Sequence, residues 1–261
     1  MSRKIELNRI LSNNRSGSTE ILDKLNNWFS IHRFSDEEYK TMFKNFLIEF
    51  SEFRNIEVYL KYCLNILNRK GKNELIEYFK KYENDKKFRE KILIEKSIKY
   101  LSKYSSFLTI SNSQTLQAFF IALSHVKRIK VIISEGRPIL EGRILAKNLS
   151  RYNIEVSLIT EAMIADAMKD IDVVLIGADK VLPDGSLVNK VGSRPLAICA
   201  KYFKKPFFVI AGNNKFSEKN IFTVKKKPRK EIWVRVPPKV NIENYYFEIV
   251  ENKLIKKIIT N

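Results

Sequence analysis

From Phe107 onward, short apolar runs alternate with amphipathic stretches, and this alternation constrains the fold more than any other feature of the chain. The runs are Phe107–Ile110, Lys130–Ile133, Ile154–Ile159, Val173–Ile176, Phe207–Ala211 and Ile232–Val236. Helical patterns at Thr115–Leu123, Leu140–Ser150, Ile164–Lys169 and Arg194–Phe203 separate the first five. Runs this short and this apolar suit strands buried on both faces. Parallel strands need a crossover between them, which the intervening helices supply. An α/β fold with a mostly parallel sheet follows, with Val173–Ile176 as a central strand. No Gly-x-Gly-x-x-Gly or Walker loop follows any run, which excludes the usual dinucleotide and P-loop sites.

The first hundred residues have a different period. Ser18 reads as a helix N-cap, with Ile21, Leu22, Leu25 and Phe29 on one face. Ser35 and Glu38 have the spacing of a capping box, ahead of Tyr39, Met42, Phe43, Phe46, Leu47 and Phe50. Tyr59, Leu60, Leu64 and Leu67 continue the pattern after a break near Arg54-Asn55, and Gly71 marks a turn. Ile76–Tyr82 and Phe88–Tyr100 read as two more helices. The expectation is a helical N-terminal domain, 1–104, and a Rossmann-like α/β domain, 105–261. The aromatic stripe of the first reads as core.

Composition narrows the class. Hydrophobic residues make up 44% and charged residues 30%, the balance of a globular protein. No apolar run approaches the ~20 residues of a membrane helix, and the polar start lacks a signal peptide's apolar segment. The two cysteines, Cys63 and Cys199, do not form a metal-type pair. A cytoplasmic protein without membrane, metal or cofactor is expected. The net charge is +19. It is spread along the chain, a weaker signal for nucleic acid than one basic face, so nucleic acid is not the expected partner. Lys225–Lys230 is the densest basic run and reads as a solvated loop before a strand.

The chemistry gathers where strands end. Asp179 follows the Val173–Ile176 run through Gly177-Ala178, and ligands bind at that end of open α/β sheets. Pro183-Asp184-Gly185 is a turn signal, and Asn189 and Lys190 come after it. Ser111 and Ser113 follow the first run and open a helix, whose N-terminal donors suit a phosphate; ordinary caps look the same. Glu135-Gly136-Arg137-Pro138 follows the second run, and Arg137 offers a planar fork to oxyanions.

These residues also carry a resemblance. Gly177-Ala178-Asp179-Lys180-Val181, with Asp184-Gly185-Ser186-Leu187-Val188-Asn189-Lys190 after it, is similar to the superfamily of translation initiation factor 2B alpha, beta and delta subunits. That superfamily includes the isomerases of methylthioribose 1-phosphate and ribose 1,5-bisphosphate. Ser134–Pro138 with Glu141-Gly142-Arg143 resembles its Glu-Ser-Arg-Pro…Glu-Gly-Arg segment, and Thr109–Ser113 its Thr-His-Cys/Ser segment. In the isomerases a Cys and an Asp share the proton transfers between C1 and C2 of the sugar. The resemblance matches that Asp to Asp179 and the Cys to Ser111. Arg15-Ser16-Gly17 is a distant echo of their Arg-Gly-Ala phosphate segment.

A serine hydroxyl ionises far less readily than a thiol. The expectation is therefore a non-catalytic regulator of the translation-factor type, binding a phosphorylated sugar or nucleotide through Ser111, Ser113, Arg137, Asp179, Asn189 and Lys190. The alternative is a phosphosugar aldose–ketose isomerase with Asp179 as its catalytic residue; a scaffold with a vestigial pocket is a third reading. The resemblance also implies a homodimer, with higher oligomers open.

Overall fold

The computed structural model describes residues 3–11 and 17–261. Helices α1 (Arg3–Leu11), α2 (Ser18–Ile31), α3 (Asp36–Glu49), α4 (Arg54–Lys70) and α5 (Lys72–Leu101) come first. The capping box at the start of α3 forms as its spacing predicts: Ser35 accepts from the Glu38 amide, and Glu38 accepts from the Ser35 amide. At α2 the cap moves by one residue. Gly17 occupies the cap position without a side-chain bond, and Ser18 is the first helical residue. Its hydroxyl is thereby released for another task.

The aromatic stripe is core. Phe29, Tyr39, Phe43 and Phe79 are fully buried, with Phe29 stacked on Phe79 at 5.3 Å between centroids. The expected pair of helices at 76–82 and 88–100 is one helix, α5, of 30 residues. The charged stretch Glu83–Lys87 lacks Gly or Pro, so nothing breaks the ladder, and Lys86 within it pairs with Asp23 of α2 at 2.5 Å. The first half of α5 gives Leu75, Phe79 and Tyr82 to the helical core. Its second half gives Leu93, Ile94 and Leu101 to the core of the sheet.

The strands follow: β1 (Ser106–Ile110), β2 (Ile129–Ser134), β3 (Ile154–Ile159), β4 (Val173–Ile176), β5 (Lys180–Val181), β6 (Leu187–Lys190), β7 (Phe207–Ile210), β8 (Phe247–Val250) and β9 (Lys257–Ile259). Helices α6 (Gln114–Ser124), α7 (Gly142–Leu149), α8 (Ile164–Ala167) and α9 (Ser193–Tyr202) lie between them. Among the described residues one sheet has six parallel strands in the order β3-β2-β1-β4-β7-β9. Within this sheet that is the Rossmann order, with its switch point between β1 and β4. As expected, β4 is an inner strand; all four of its residues are buried. A second, antiparallel sheet of β5, β6 and β8 covers one face.

One expectation gives way here. Ile232–Val236 is not a strand: Trp233 and Val234 are 47% and 81% exposed, and the run pairs with no strand among the described residues. β9 takes the edge position instead. Asn189 and Lys190 lie in β6, joined to β5 through the turn at 183–186.

Candidate functional site

Because the strands are parallel, their carboxyl ends share one edge, and the switch point opens it. A cavity of about 180 Å³ lies there. Its floor is Ser111 to Thr115 after β1, Gly177 to Asp179 after β4, and Ala211, Gly212 and Lys215 after β7. Asn189 and Lys190 of β6 and Glu141 at the start of α7 form one wall. The opposite wall comes from the helical region: Gly17, Ser18 and Thr19 at the start of α2, with Glu49, Phe50, Glu52 and Phe53 at and beyond the end of α3.

Besides the Glu52–Lys227 pair at 2.7 Å, which draws Lys227 of the expected solvated basic run into the lining, two corners of this cavity carry charge. In the first, the Lys190 ammonium lies 2.6 Å from Glu141 Oε1, both side chains nearly closed to solvent. The contact is an ion pair by distance but poorly aligned, so the Lys190 donors and Glu141 Oε2 lack a hydrogen-bond partner among the described residues. Ser111 donates to Glu141 Oε1 at 3.4 Å, and the ammonium sits 4.8 Å from the centre of the Tyr246 ring. Burial pushes the Glu141 carboxyl above its ordinary pKa, and Lys190 opposes that rise only in part. The β6–α9 bend holds this corner in place. Glu248 accepts from the amides of Gly192 and Arg194, and Gly192 has φ +100°, where a Cβ would strike Ile110 at 2.5 Å.

The second corner joins the two halves of the chain. Ser18 donates to Asp179 Oδ1 at 2.8 Å. Lys215 donates to Ser18 Oγ and, at 3.2 Å, to Asn55 Oδ1 of α4, and stands 3.8 Å from Asp179. Lys215 is buried, which lowers its pKa, while Asp179 pulls the other way. Gly17 is tightly seated, since a Cβ there would lie 2.9 Å from Asn112 O.

The structure brings together five of the six residues singled out from sequence: Ser111, Ser113, Asp179, Asn189 and Lys190. Ser113 caps α6, accepting from the Leu116 amide, and the Asn189 amide nitrogen donates to Ser193 Oγ at 2.8 Å. Arg137 is not brought into the cavity. It is exposed and its guanidinium donates to Ile232 O at 3.4 Å, because the Gly136 turn directs it toward the 229–235 segment. Arg15 and Ser16 lie outside the described residues. Sequence reasoning missed Glu141, Ser18 and Lys215. Glu141 stood within a quoted motif, and its buried position opposite Lys190 was the signal not used.

Comparison with known proteins agrees with this layout. The model of the Initiation factor 2 subunit family matches residues 49–261. The ribose 1,5-bisphosphate isomerase of Archaeoglobus fulgidus is 31% identical over 172 residues, which are 64% of this chain and 54% of that protein. A putative methylthioribose-1-phosphate isomerase of Methanocaldococcus jannaschii is 32% identical over 212 residues, 74% of this chain and 64% of that protein. The chain thus spans just over half to two thirds of the length of these curated relatives. The translation initiation factor eIF-2B structure of Pyrococcus horikoshii OT3 superposes with a TM-score of 0.81 at 20% identity, covering 98% of this chain and 94% of that one. The expected non-catalytic regulator is overturned by the relatives' names: relatives at 31–33% identity are named as isomerases.

Proposed function

The chain belongs to the Initiation factor 2 subunit family, and from that premise we propose that it is an aldose–ketose isomerase of a phosphorylated pentose. The observation that carries this reading is a pair among the carboxyl groups of one cavity, Asp179 and Glu141, held in unlike surroundings on its floor and wall. Aldose–ketose isomerisation takes a proton from C2, delivers one to C1 and moves protons at oxygen. Two groups are needed, one for carbon and one for oxygen.

Asp179 is the first of them in this proposal. It accepts from Ser18 and faces the ammonium of Lys215, which leaves a carboxylate oriented at the strand mouth. Glu141 is the second. Its burial favours the protonated form, and Ser111, in the position of the isomerases' Cys, connects its carboxyl to the cavity floor. A carboxyl that burial keeps protonated is a usual source of a proton near neutral pH.

Phosphate falls to the remaining donors. Lys190 supplies an ammonium whose hydrogen bonds are unmatched. The start of α2 supplies backbone N–H groups, since Gly17 offers no side-chain cap. Ser113 opens α6, whose first turn adds a second set, and Asn189 is placed for a sugar hydroxyl. Arg137 takes no part in this proposal. A homodimer is proposed with it; light scattering at micromolar concentration that gives a strict monomer removes that part.

The test is turnover of ribose 1,5-bisphosphate and methylthioribose 1-phosphate, followed by phosphorus NMR. Wild type should convert one of them, and Asp179→Asn should lower kcat by about 10²–10⁴. No conversion of either by folded wild type sinks the proposal.

A further inference from the structure

We propose that a second cleft, on the other side of β5 from the main cavity, is a binding site for a phosphate-type oxyanion. The cleft holds about 310 Å³ and lies between the first turn of α4 and the 217–221 segment. Lys180 is its key residue. Only 8% of Lys180 is exposed, and it makes no hydrogen bond or ion pair with any described residue. Burial lowers the Lys180 pKa, which the more distant charges of Glu57 and Glu52 offset only in part, and an anion in the cleft would offset more of that cost.

The neighbours of Lys180 are arranged accordingly. Among the residues lining the cleft, Arg54, Lys61, Lys180 and Lys219 face two acids, Glu57 and Glu218. Glu57 is already taken: Arg54 lies 3.1 Å and Lys61 2.6 Å from the same oxygen. Arg54 is further held through Nε, which donates to Phe216 O at 2.9 Å. Glu57 therefore orients two cations at the cleft wall and has no hydrogen-bonding contact with Lys180. Glu218 is exposed and free to swing into solvent. Ser217, also in the lining, adds a hydroxyl.

The site is built from the same three segments as the Asp179 corner. Asp179 lies at the bend before β5 and lines the main cavity, while Lys180, the first residue of β5, lines the cleft. Asn55 of α4 reaches Lys215, while Arg54 and Glu57 of the same turn face the cleft. Lys215 lines the main cavity, and two residues on Ser217 lines the cleft, its amide bonded to Val181 O at 2.8 Å. An oxyanion held by Lys180 and Arg54 braces all three segments. Binding on one side of β5 is thereby linked to binding on the other, and the linkage is reciprocal. None of this depends on which reaction the main cavity performs.

Inorganic phosphate is the probe, titrated calorimetrically at low ionic strength into wild type, Lys180→Ala and Lys219→Glu. Lys180→Ala should lose one phosphate equivalent, its affinity falling about tenfold or more, while the equivalents of the main cavity persist. Lys219 is exposed, so its reversal leaves the fold intact and should weaken the same equivalent by a factor of about 3–10. Equal stoichiometry and affinity in wild type and Lys180→Ala would overturn the proposal. Should Lys180→Ala fail to fold, an unchanged titration for Lys219→Glu overturns it instead.

Discussion

The two charged corners of the main cavity are built in different ways. The Glu141–Lys190–Ser111 corner comes wholly from the α/β part of the chain, and its groups are sealed: the Glu141 and Lys190 side chains are 6% and 5% exposed. The Asp179 corner needs both parts. Ser18 and Asn55 reach it from the helical region, and Asp179 keeps 18% of its side chain exposed. The first corner is thus a matter of local packing, and the second depends on how the helical region sits on the sheet. Under the proposed isomerase reading, damage to either corner should lower turnover, and damage to the first should lower stability as well.

The largest expected effect breaks the sealed corner. Lys190→Ala empties the buried space beside Glu141 and the Tyr246 ring, and should cost about 2–5 kcal/mol in urea unfolding. Replacing both partners, Lys190→Met with Glu141→Leu, should recover most of that loss, because well-packed apolar groups commonly match a buried pair. If the single variant unfolds like wild type, the corner is not sealed as described.

This contrast also tracks what was legible in the chain. The parallel sheet was readable because β1 to β4 and β7 are short apolar runs separated by helical patterns, a periodicity that survives any packing detail. Asp179 and Lys190 were readable because strand ends and turn signals place them at one rim. Residues that act through tertiary contact were not. Ser18 looked like a cap because its type and position satisfy the local rule, and only packing against the sheet turns its hydroxyl to Asp179. Lys215 sits in an unremarkable Asn-Asn-Lys stretch, and its burial is set by α4, which is 160 residues away from it in sequence at Asn55. Glu141 was seen but not weighed, since burial beside Lys190 has no sequence signature. The Ile232–Val236 run failed as a strand because apolarity alone does not supply a neighbour to pair with.

A middle-sized effect is expected at the joined corner. Ser18→Ala removes a hydrogen bond to a carboxylate, worth about 1.5–3 kcal/mol. Part of that should appear as lower kcat, because Asp179 loses its orientation while the phosphate donors of α2 are backbone groups and remain. A variant with raised KM and unchanged kcat would assign Ser18 to substrate binding instead.

The smallest effect sharpens the comparison by pH. Burial raises the Glu141 pKa from its ordinary 4.5, so the folded chain binds the proton more tightly than the unfolded chain. Such a group contributes stability that is fully present below the unfolded pKa and is lost as pH rises through the folded one. The stability of wild type relative to Glu141→Gln should therefore fall as pH rises above about 4.5, by about 1.4 kcal/mol for each unit of displacement. Gln cannot titrate, so the Lys190 charge common to both proteins cancels from the slope. Urea unfolding between pH 4 and 8 reads the difference directly. A relative stability that climbs with pH would mean that Lys190 outweighs burial, and Glu141 would then be an ionised partner of the ammonium rather than a proton donor.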